Sequence, residues 1–172
     1  MDWRERIRTI PDFPKPGINF RDITPVLGDP AAFAGAVDEL ARAADGLAWE
    51  RLVALEARGF LFGAPLAIRA GKGLVPLRKP GKLPAAVERV AYDLEYGTAE
   101  LEMHRDAVAA GERILVVDDL LATGGTAAAA GELVRRAGGA VSGYLFLVEL
   151  AGLDGRARLT DAPVISLVTL PA

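Results

Sequence analysis

Short runs of apolar residues recur along the chain without the polar alternation of a half-exposed strand. They cover residues 52–55, 74–77, 114–117, 141–148 and 164–168, and several members are β-branched. Runs of this kind are typical of strands that are covered on both faces of a sheet. With helical patterns or crossovers between them, they predict a single-domain α/β fold in which helices flank a central, mainly parallel sheet.

Capping residues and glycines predict where the helices begin and end. Asp29 followed by Pro30 is a helix start, and the helix that it predicts ends before residue 46. A second helix is predicted over 61–70, and an alanine-rich pattern predicts a third that runs to about residue 137. Residues 2–9 carry apolar side chains at helical spacing, and we expect one amphipathic helical stretch there.

Residues 98–104 follow a different pattern, strict alternation. Apolar Ala99, Leu101 and Met103 alternate with three polar residues, namely Glu100, Glu102 and His104. Alternation predicts a half-exposed strand with its polar side chains facing solvent. Together with the preceding Glu-Tyr-Gly turn at 95–97, it indicates a hairpin arm, which on these grounds alone is an exposed hairpin with a polar tip.

Composition limits the classes of protein that this chain can represent. It has 172 residues, 51% hydrophobic and 25% charged, which suits one soluble globular domain. The net charge of −3 gives no support for a nucleic-acid partner, and the absence of cysteine excludes disulfides. The charged amino terminus is unlike a signal peptide, and no run approaches the roughly 18 apolar residues of a membrane span. We expect a cytoplasmic protein without membrane association.

The stretch from Arg113 to Thr126 carries the strongest chemical signal. An apolar strand run is followed by Asp118 and Asp119, and then by a turn of small residues that leads into a helix: Ala122, Thr123, Gly124, Gly125 and Thr126. A strand, a glycine turn and a helix amino terminus converge backbone N–H groups on an anion. The adjacent acids suit sugar hydroxyls or hydrated Mg²⁺, so the stretch fits a sugar phosphate. An ordinary glycine-containing turn is the alternative.

Residues 116–126 resemble the phosphoribosyl-diphosphate (PRPP) signature of the type I phosphoribosyltransferases, with a wording most similar to the adenine-specific members. The resemblance implies that the turn from Ala122 to Thr126 binds the 5′-phosphate. It also implies that Asp118 and Asp119 hold the ribose hydroxyls. Mg²⁺ is expected as a cofactor carried by the diphosphate, and no side chain is assigned as its direct ligand. The patterns of P-loop and dinucleotide-binding proteins are absent.

Two charged segments resemble the pyrophosphate-binding parts of the same family. Arg58 belongs to the sequence Glu-Ala-Arg-Gly-Phe, and a basic segment at 78–82 supplies three further cations: Arg78, Lys79 and Lys82. Arginine suits diphosphate by forked donation and lysine by point charge. Without the resemblance, both segments would be solvated loops. In the family the arginine at the position of Arg78 commonly reaches the site of a partner subunit, so a homodimer is expected.

The resemblance also assigns the base site and the catalytic loop. Residues 1–28 correspond to an amino-terminal hood whose backbone near Phe20 and Arg21 contacts the purine, and Leu150 packs against the base. Residues 80–104 correspond to a flexible catalytic loop. In that loop Glu95 is the candidate general acid/base and Tyr96 a residue of the lid, whereas His104 is given no chemical role.

The reaction implied is transfer of the phosphoribosyl group from PRPP to adenine, which yields AMP and pyrophosphate in purine salvage. One alternative is a phosphoribosyltransferase for hypoxanthine, guanine or xanthine. Another is a non-catalytic regulator that senses PRPP, although this chain has no spare length or basic surface for a DNA-binding region. The small-molecule partners expected are therefore adenine and PRPP.

Overall fold

A sheet of five parallel strands is the framework of the computed structural model, which describes residues 2–94 and 97–172. The strands of the described chain are β1 (Arg8–Ile10), β2 (Phe20–Asp22), β3 (Arg51–Leu55), β4 (Gly73–Leu77), β5 (Val87–Asp93), β6 (Thr98–His104), β7 (Arg113–Leu121), β8 (Ala140–Ala151) and β9 (Val164–Pro171). Its α-helices are α1 (Thr24–Gly28), α2 (Pro30–Ala44), α3 (Arg58–Ala70) and α4 (Gly125–Arg136), and 3₁₀ turns occupy Trp3–Arg6 and Gly155–Arg158.

The order of the central strands is β4-β3-β7-β8-β9, with parallel pairing throughout. The chain leaves β3 towards β4 on one side, and β7 then pairs with β3 on the other side. The connections that follow β3 and β7 therefore leave the carboxyl ends of these neighbouring strands in opposite directions. Such a switch point opens a crevice at the carboxyl ends of the strands, which is where ligands bind in open α/β sheets.

The inner strands β3, β7 and β8 are largely buried because both faces of the sheet are covered, whereas the edge strands β4 and β9 are only partly buried. Leu52 and Ala54 pack into one core with α2 and α3, whereas Val53 and Leu55 pack into a second core with α4 and the hairpin of β5 and β6. Successive side chains of a strand point to opposite faces, so two buried faces require an apolar residue at every position. The expected α/β fold is thus confirmed.

Local signals located several element boundaries correctly. The Asp29 carboxylate accepts hydrogen bonds from the Ala31 and Ala32 N–H groups, at 3.0 Å each, and α2 begins at Pro30 as predicted. Gly71, with φ of +64°, ends α3. Pro76 lies in β4 at the edge of the sheet, where a missing N–H costs no ladder hydrogen bond.

Three expectations from the sequence are wrong. Residues 2–9 do not form one helical stretch: a 3₁₀ turn at Trp3–Arg6 is followed by β1, which pairs antiparallel with β2. Strand β7 does not end before the acids but continues to Leu121, because it keeps pairing with β8. Glu102 is not solvent-facing but 2% exposed, since its carboxylate has partners inside the molecule.

No helix among the described residues is long and apolar enough to cross a membrane.

Candidate active site

A cavity of about 410 Å³ lies at the carboxyl ends of β3 and β7. Its walls come from the connection after β3, the end of β7 with the turn into α4, the basic segment and the hairpin. The lining residues are Glu56, Ala57, Arg58, Lys79, Tyr92, Leu94, Ala99, Asp118, Asp119, Leu120, Leu121, Ala122, Thr123, Gly124, Gly125, Thr126 and Ala127. Nine of these were predicted as site residues: seven lie within residues 118–126, and only the fold brings Arg58 and Lys79 to them from distant parts of the chain.

The turn before α4 depends on a glycine at position 124. Gly124 has φ of +82°, and a Cβ there would lie 2.4 Å from the carbonyl oxygen of Gly155. Both the backbone angle and the close contact exclude a side chain. The turn is thus held against the 3₁₀ segment while α4 begins at Gly125. The N–H groups of the first helical turn have no intrahelical acceptors, so they are available to an anion.

The acidic pair lies on β7 itself, beside the turn. Asp119 is 5% exposed, and its N–H donates to Oδ1 of Asp118 at 2.8 Å. Burial, with the like charge of Asp119, raises the pKa of Asp118 well above its usual value. Burial also raises the pKa of Asp119, against the opposing charge of Arg58. The pair is therefore costly to ionise fully until a ligand supplies donors or positive charge.

Arg58, the first residue of α3, connects the acidic pair to the amino-terminal segment. Its Nε lies 2.8 Å from Oδ2 of Asp119, and its guanidinium carbon lies 5.4 Å from the centre of the Phe20 ring. The start of α3 approaches β7 closely, because a Cβ at position 59 would be only 2.8 Å from Oδ1 of Asp118. Gly59 thus permits the approach that puts Arg58 within reach of both groups.

The basic segment is held by Glu56, a residue to which the sequence analysis gave no role. Its carboxylate accepts from the Lys79 N–H at 2.9 Å, forms an ion pair with Lys82, and lies 3.4 Å from Nε of Arg78. The Glu56 side chain is 7% exposed. Burial would raise its pKa, but the bonds from Lys82, the Lys79 N–H and Arg78 outweigh burial and lower the pKa to about 2. Among these cations only Lys79 lines the cavity.

The predicted base-site residues Phe20, Arg21 and Leu150 do not line the cavity. Phe20 packs edge-on against Phe13, with ring centres 5.2 Å apart. The Arg21 guanidinium donates to the carbonyl oxygen of Pro171 at 2.6 Å, so its side chain ties β2 to the end of β9. Leu150, half-buried in β8, packs against the core on the α2 and α3 side and does not line the cavity.

The hairpin reaches over the turn, but its predicted catalytic residues, Glu95 and Tyr96, lie outside the described residues. The flanking residues are described: the Leu94 N–H donates to the Gly97 carbonyl at 2.9 Å. The hydroxyl groups of Tyr92 and Thr126 are 3.4 Å apart. The hairpin arm therefore contacts the turn at residues 122–126 directly. Tyr92 and Leu94 line the cavity although the sequence did not predict it, because nothing local indicates which face of β5 meets α4.

Residues 29–159 match the family model described as the phosphoribosyl transferase domain. The adenine phosphoribosyltransferase of Gloeobacter violaceus is 56% identical, over 98% of this chain and 99% of its own length. The crystal structure of adenine phosphoribosyltransferase from Thermoanaerobacter pseudethanolicus aligns with a TM-score of 0.95 at 55% identity, covering 97% of each chain. That of Saccharomyces cerevisiae, complexed with an imino-altritol bisphosphate and adenine, aligns with a TM-score of 0.90 at 41% identity, covering 96% of each chain.

The matches span both the turn with its acidic pair and the full sheet that carries them. The chain therefore belongs to the phosphoribosyltransferase family and, within it, to the adenine phosphoribosyltransferases.

Proposed function

We propose that this protein acts in purine salvage by transferring the 5-phosphoribosyl group of PRPP to adenine, with AMP and pyrophosphate as products. The observation that carries the proposal is the cavity at the switch point, where a glycine turn at the start of α4 lies beside two carboxylates. The relatives of this chain are named adenine phosphoribosyltransferases, and the structure of the one from Saccharomyces cerevisiae was solved in complex with adenine.

The turn and the acidic pair would hold the two ends of the phosphoribosyl group. Backbone N–H groups from Ala122 to Thr126, with the two threonine hydroxyls, suit the 5′-phosphate. Asp118 and Asp119 then face the ribose hydroxyls, to which they offer acceptors. As the bond from C1′ to the pyrophosphate oxygen lengthens, positive charge grows on the sugar, and ionised carboxylates held nearby stabilise that charge.

Pyrophosphate would leave towards the cations. Arg58 and Lys79 line the cavity, and Arg78 and Lys82 contact the Glu56 carboxylate, which also lines it. Negative charge moves onto the departing diphosphate, so fixed cations lower the barrier by position and charge. Mg²⁺ bound to the diphosphate would add positive charge against the leaving group. The carboxylate oxygens of Asp118 and Asp119 would accept hydrogen bonds from water bound to this ion.

Adenine would enter between the hood and the hairpin. Phe20 and the backbone of Arg21 are the proposed purine contacts, with Leu150 as an apolar neighbour, and residues 1–28 would form the hood. Purine N9 attacks C1′ as the bond from C1′ to the pyrophosphate oxygen breaks. The proton on the purine ring must then pass to a base. Glu95 is the proposed acceptor and Tyr96 a lid residue, within a mobile loop at 80–104.

The proposal includes a cytoplasmic homodimer in which Arg78 acts on the partner's site. Arg78 faces Glu56 of its own chain at 3.4 Å. Mixing an inactive Arg78→Ala chain with an inactive Asp119→Asn chain tests this directly. If Arg78 acts across the interface, mixed dimers regain one intact site and part of the activity; if it acts within its own chain, the mixture stays inactive.

The function itself is tested by following pyrophosphate release from PRPP and Mg²⁺ with adenine, hypoxanthine, guanine and xanthine in parallel. Release with adenine alone, with AMP as the product, is expected. Release only with an oxopurine would keep the chemistry and overturn the assignment of the hood residues. PRPP binding without release with any base would replace the enzyme with a PRPP sensor.

A further inference from the structure

Glu102 is a buried carboxylate on a strand where alternation places polar side chains in solvent. It is 2% exposed, whereas its strand neighbour Glu100 has a side chain 39% exposed. The Glu102 carboxylate accepts a hydrogen bond from the Gly81 N–H at 3.1 Å and from Nη2 of Arg89 at 2.5 Å. Burying a carboxylate is costly unless such partners satisfy it, so its position here calls for a specific role.

The backbone of Glu102 holds the same segment as its side chain. The Arg78 N–H donates to the Glu102 carbonyl at 3.0 Å, and the Glu102 N–H donates to the Arg78 carbonyl at 2.7 Å. The basic segment at 78–82 is therefore fixed at two points, Arg78 and Gly81, to one residue of the hairpin. Lys79 lies between these points and Lys82 directly follows the second.

The two carboxylates around the basic segment have different partners. Glu56 contacts the cationic groups of Arg78 and Lys82, which a bound diphosphate would also contact, and it accepts one backbone hydrogen bond, from the Lys79 N–H. Glu102 contacts the backbone of Arg78 and Gly81 and none of the segment's cationic side chains in the described part of the chain. A diphosphate can therefore replace Glu56 as the partner of the Arg78 and Lys82 side chains, while Glu102 keeps its contacts with the Arg78 and Gly81 backbone.

We propose that Glu102 is a positioning residue of the pyrophosphate subsite: through the Gly81 N–H and the Arg78 backbone it sets where Lys79 and Lys82 meet the diphosphate. The inference rests on the proposed function, because it presupposes that the basic segment binds diphosphate. A displacement of about 1 Å in a positioning group can cost up to roughly a hundredfold in rate, so a loosened segment has a measurable effect.

Glu102→Gln tests the role while it keeps the size of the side chain. Glu100→Gln is the matched control, because Glu100 lies on the same strand and contacts the same Arg89, at 3.5 Å, but not Gly81. For Glu102→Gln we expect the KM for PRPP and the dissociation constant of magnesium pyrophosphate to rise about tenfold. The KM for adenine and the dissociation constant of ribose 5-phosphate should stay near the wild-type values, and Glu100→Gln should match the wild type throughout.

Calorimetric binding of the two ligands separates the possible outcomes. Selective weakening of pyrophosphate supports the inference. Equal weakening of both ligands, or of neither, overturns it and leaves Glu102 a structural residue. If the wild-type protein binds neither ligand nor PRPP, the proposed function fails instead. Should Glu102→Gln not fold, Arg89→Gln removes the other partner of Glu102. The inference then requires that Arg89→Gln weaken magnesium pyrophosphate binding, by a smaller factor, and leave ribose 5-phosphate binding unchanged.

Discussion

Replacing Arg58 by alanine tests the centre of the proposed mechanism. The substitution removes the charged group 2.8 Å from Asp119, whose side chain is 7% exposed, and leaves the acidic pair without the charge that opposes its burial. Losing one preorganised donor typically costs about 3 kcal/mol of transition-state stabilisation. Since about 1.4 kcal/mol corresponds to a tenfold change in rate, we expect kcat/KM to fall about a hundredfold.

Arg69→Ala is the matched control. Arg69 lies on the same helix and also forms an arginine–aspartate pair, with Nε 2.9 Å from Oδ1 of Asp38, but both side chains are exposed and neither lines the cavity. An exposed pair contributes roughly 0–1 kcal/mol to stability and nothing to the chemistry proposed here. Its kcat should therefore equal that of the wild-type protein.

The pH dependence adds a second test of the same substitution. In the wild-type protein the charge of Arg58 lowers the pKa of Asp119 against the effect of burial. In Arg58→Ala that pKa rises further, so the pair stays protonated up to a higher pH than in the wild-type protein, and the residual rate should increase as the pH is raised. Initial rates over a range of PRPP concentrations at saturating adenine, repeated across pH, measure both effects. Wild-type turnover by Arg58→Ala would remove this residue from the mechanism.

Three further substitutions give independent results. Gly124→Ala forces a Cβ to within 2.4 Å of the Gly155 carbonyl at φ of +82°, so both a lower melting temperature and a higher KM for PRPP are expected. Asp118→Asn removes a charge that burial and Asp119 disfavour, so calorimetry should show a melting temperature raised by about 2–4 °C per kcal/mol gained, while kcat falls. The folded-state pKa of Glu56 is lowered to about 2 from 4.5, so the stability that it adds over Glu56→Gln is complete above about pH 4.5 and is lost as the pH falls towards 2. A stability difference that does not change over that range in acid denaturation would contradict this assignment.

Local sequence was enough to locate the glycine turn at residues 122–126, before α4. A strand run, Gly124 and a helical pattern follow one another within the chain, and each depends on near neighbours. The same holds for the start of α2 at Asp29 and for the buried central strands. The end of β7 was misplaced, because pairing with β8 extends it past the acids, and that pairing depends on residues some 30 positions later. β1 was missed for the same reason, since it exists by pairing with β2.

By itself, the sequence determined the α/β class, the strand–turn–helix unit that suits an anion, and which charged segments are candidates for pyrophosphate. Only the tertiary structure decided which of those charges meet. It paired Arg58 with Asp119, placed Glu56 among the cations of the basic segment, and buried Glu102 against Gly81. Each of these contacts joins residues about 20 to 60 positions apart, and a carboxylate has the same local pattern whether it faces solvent or a distant partner. Burial and partner choice follow from the packing of the hairpin and the sheet, which no periodicity within one element encodes.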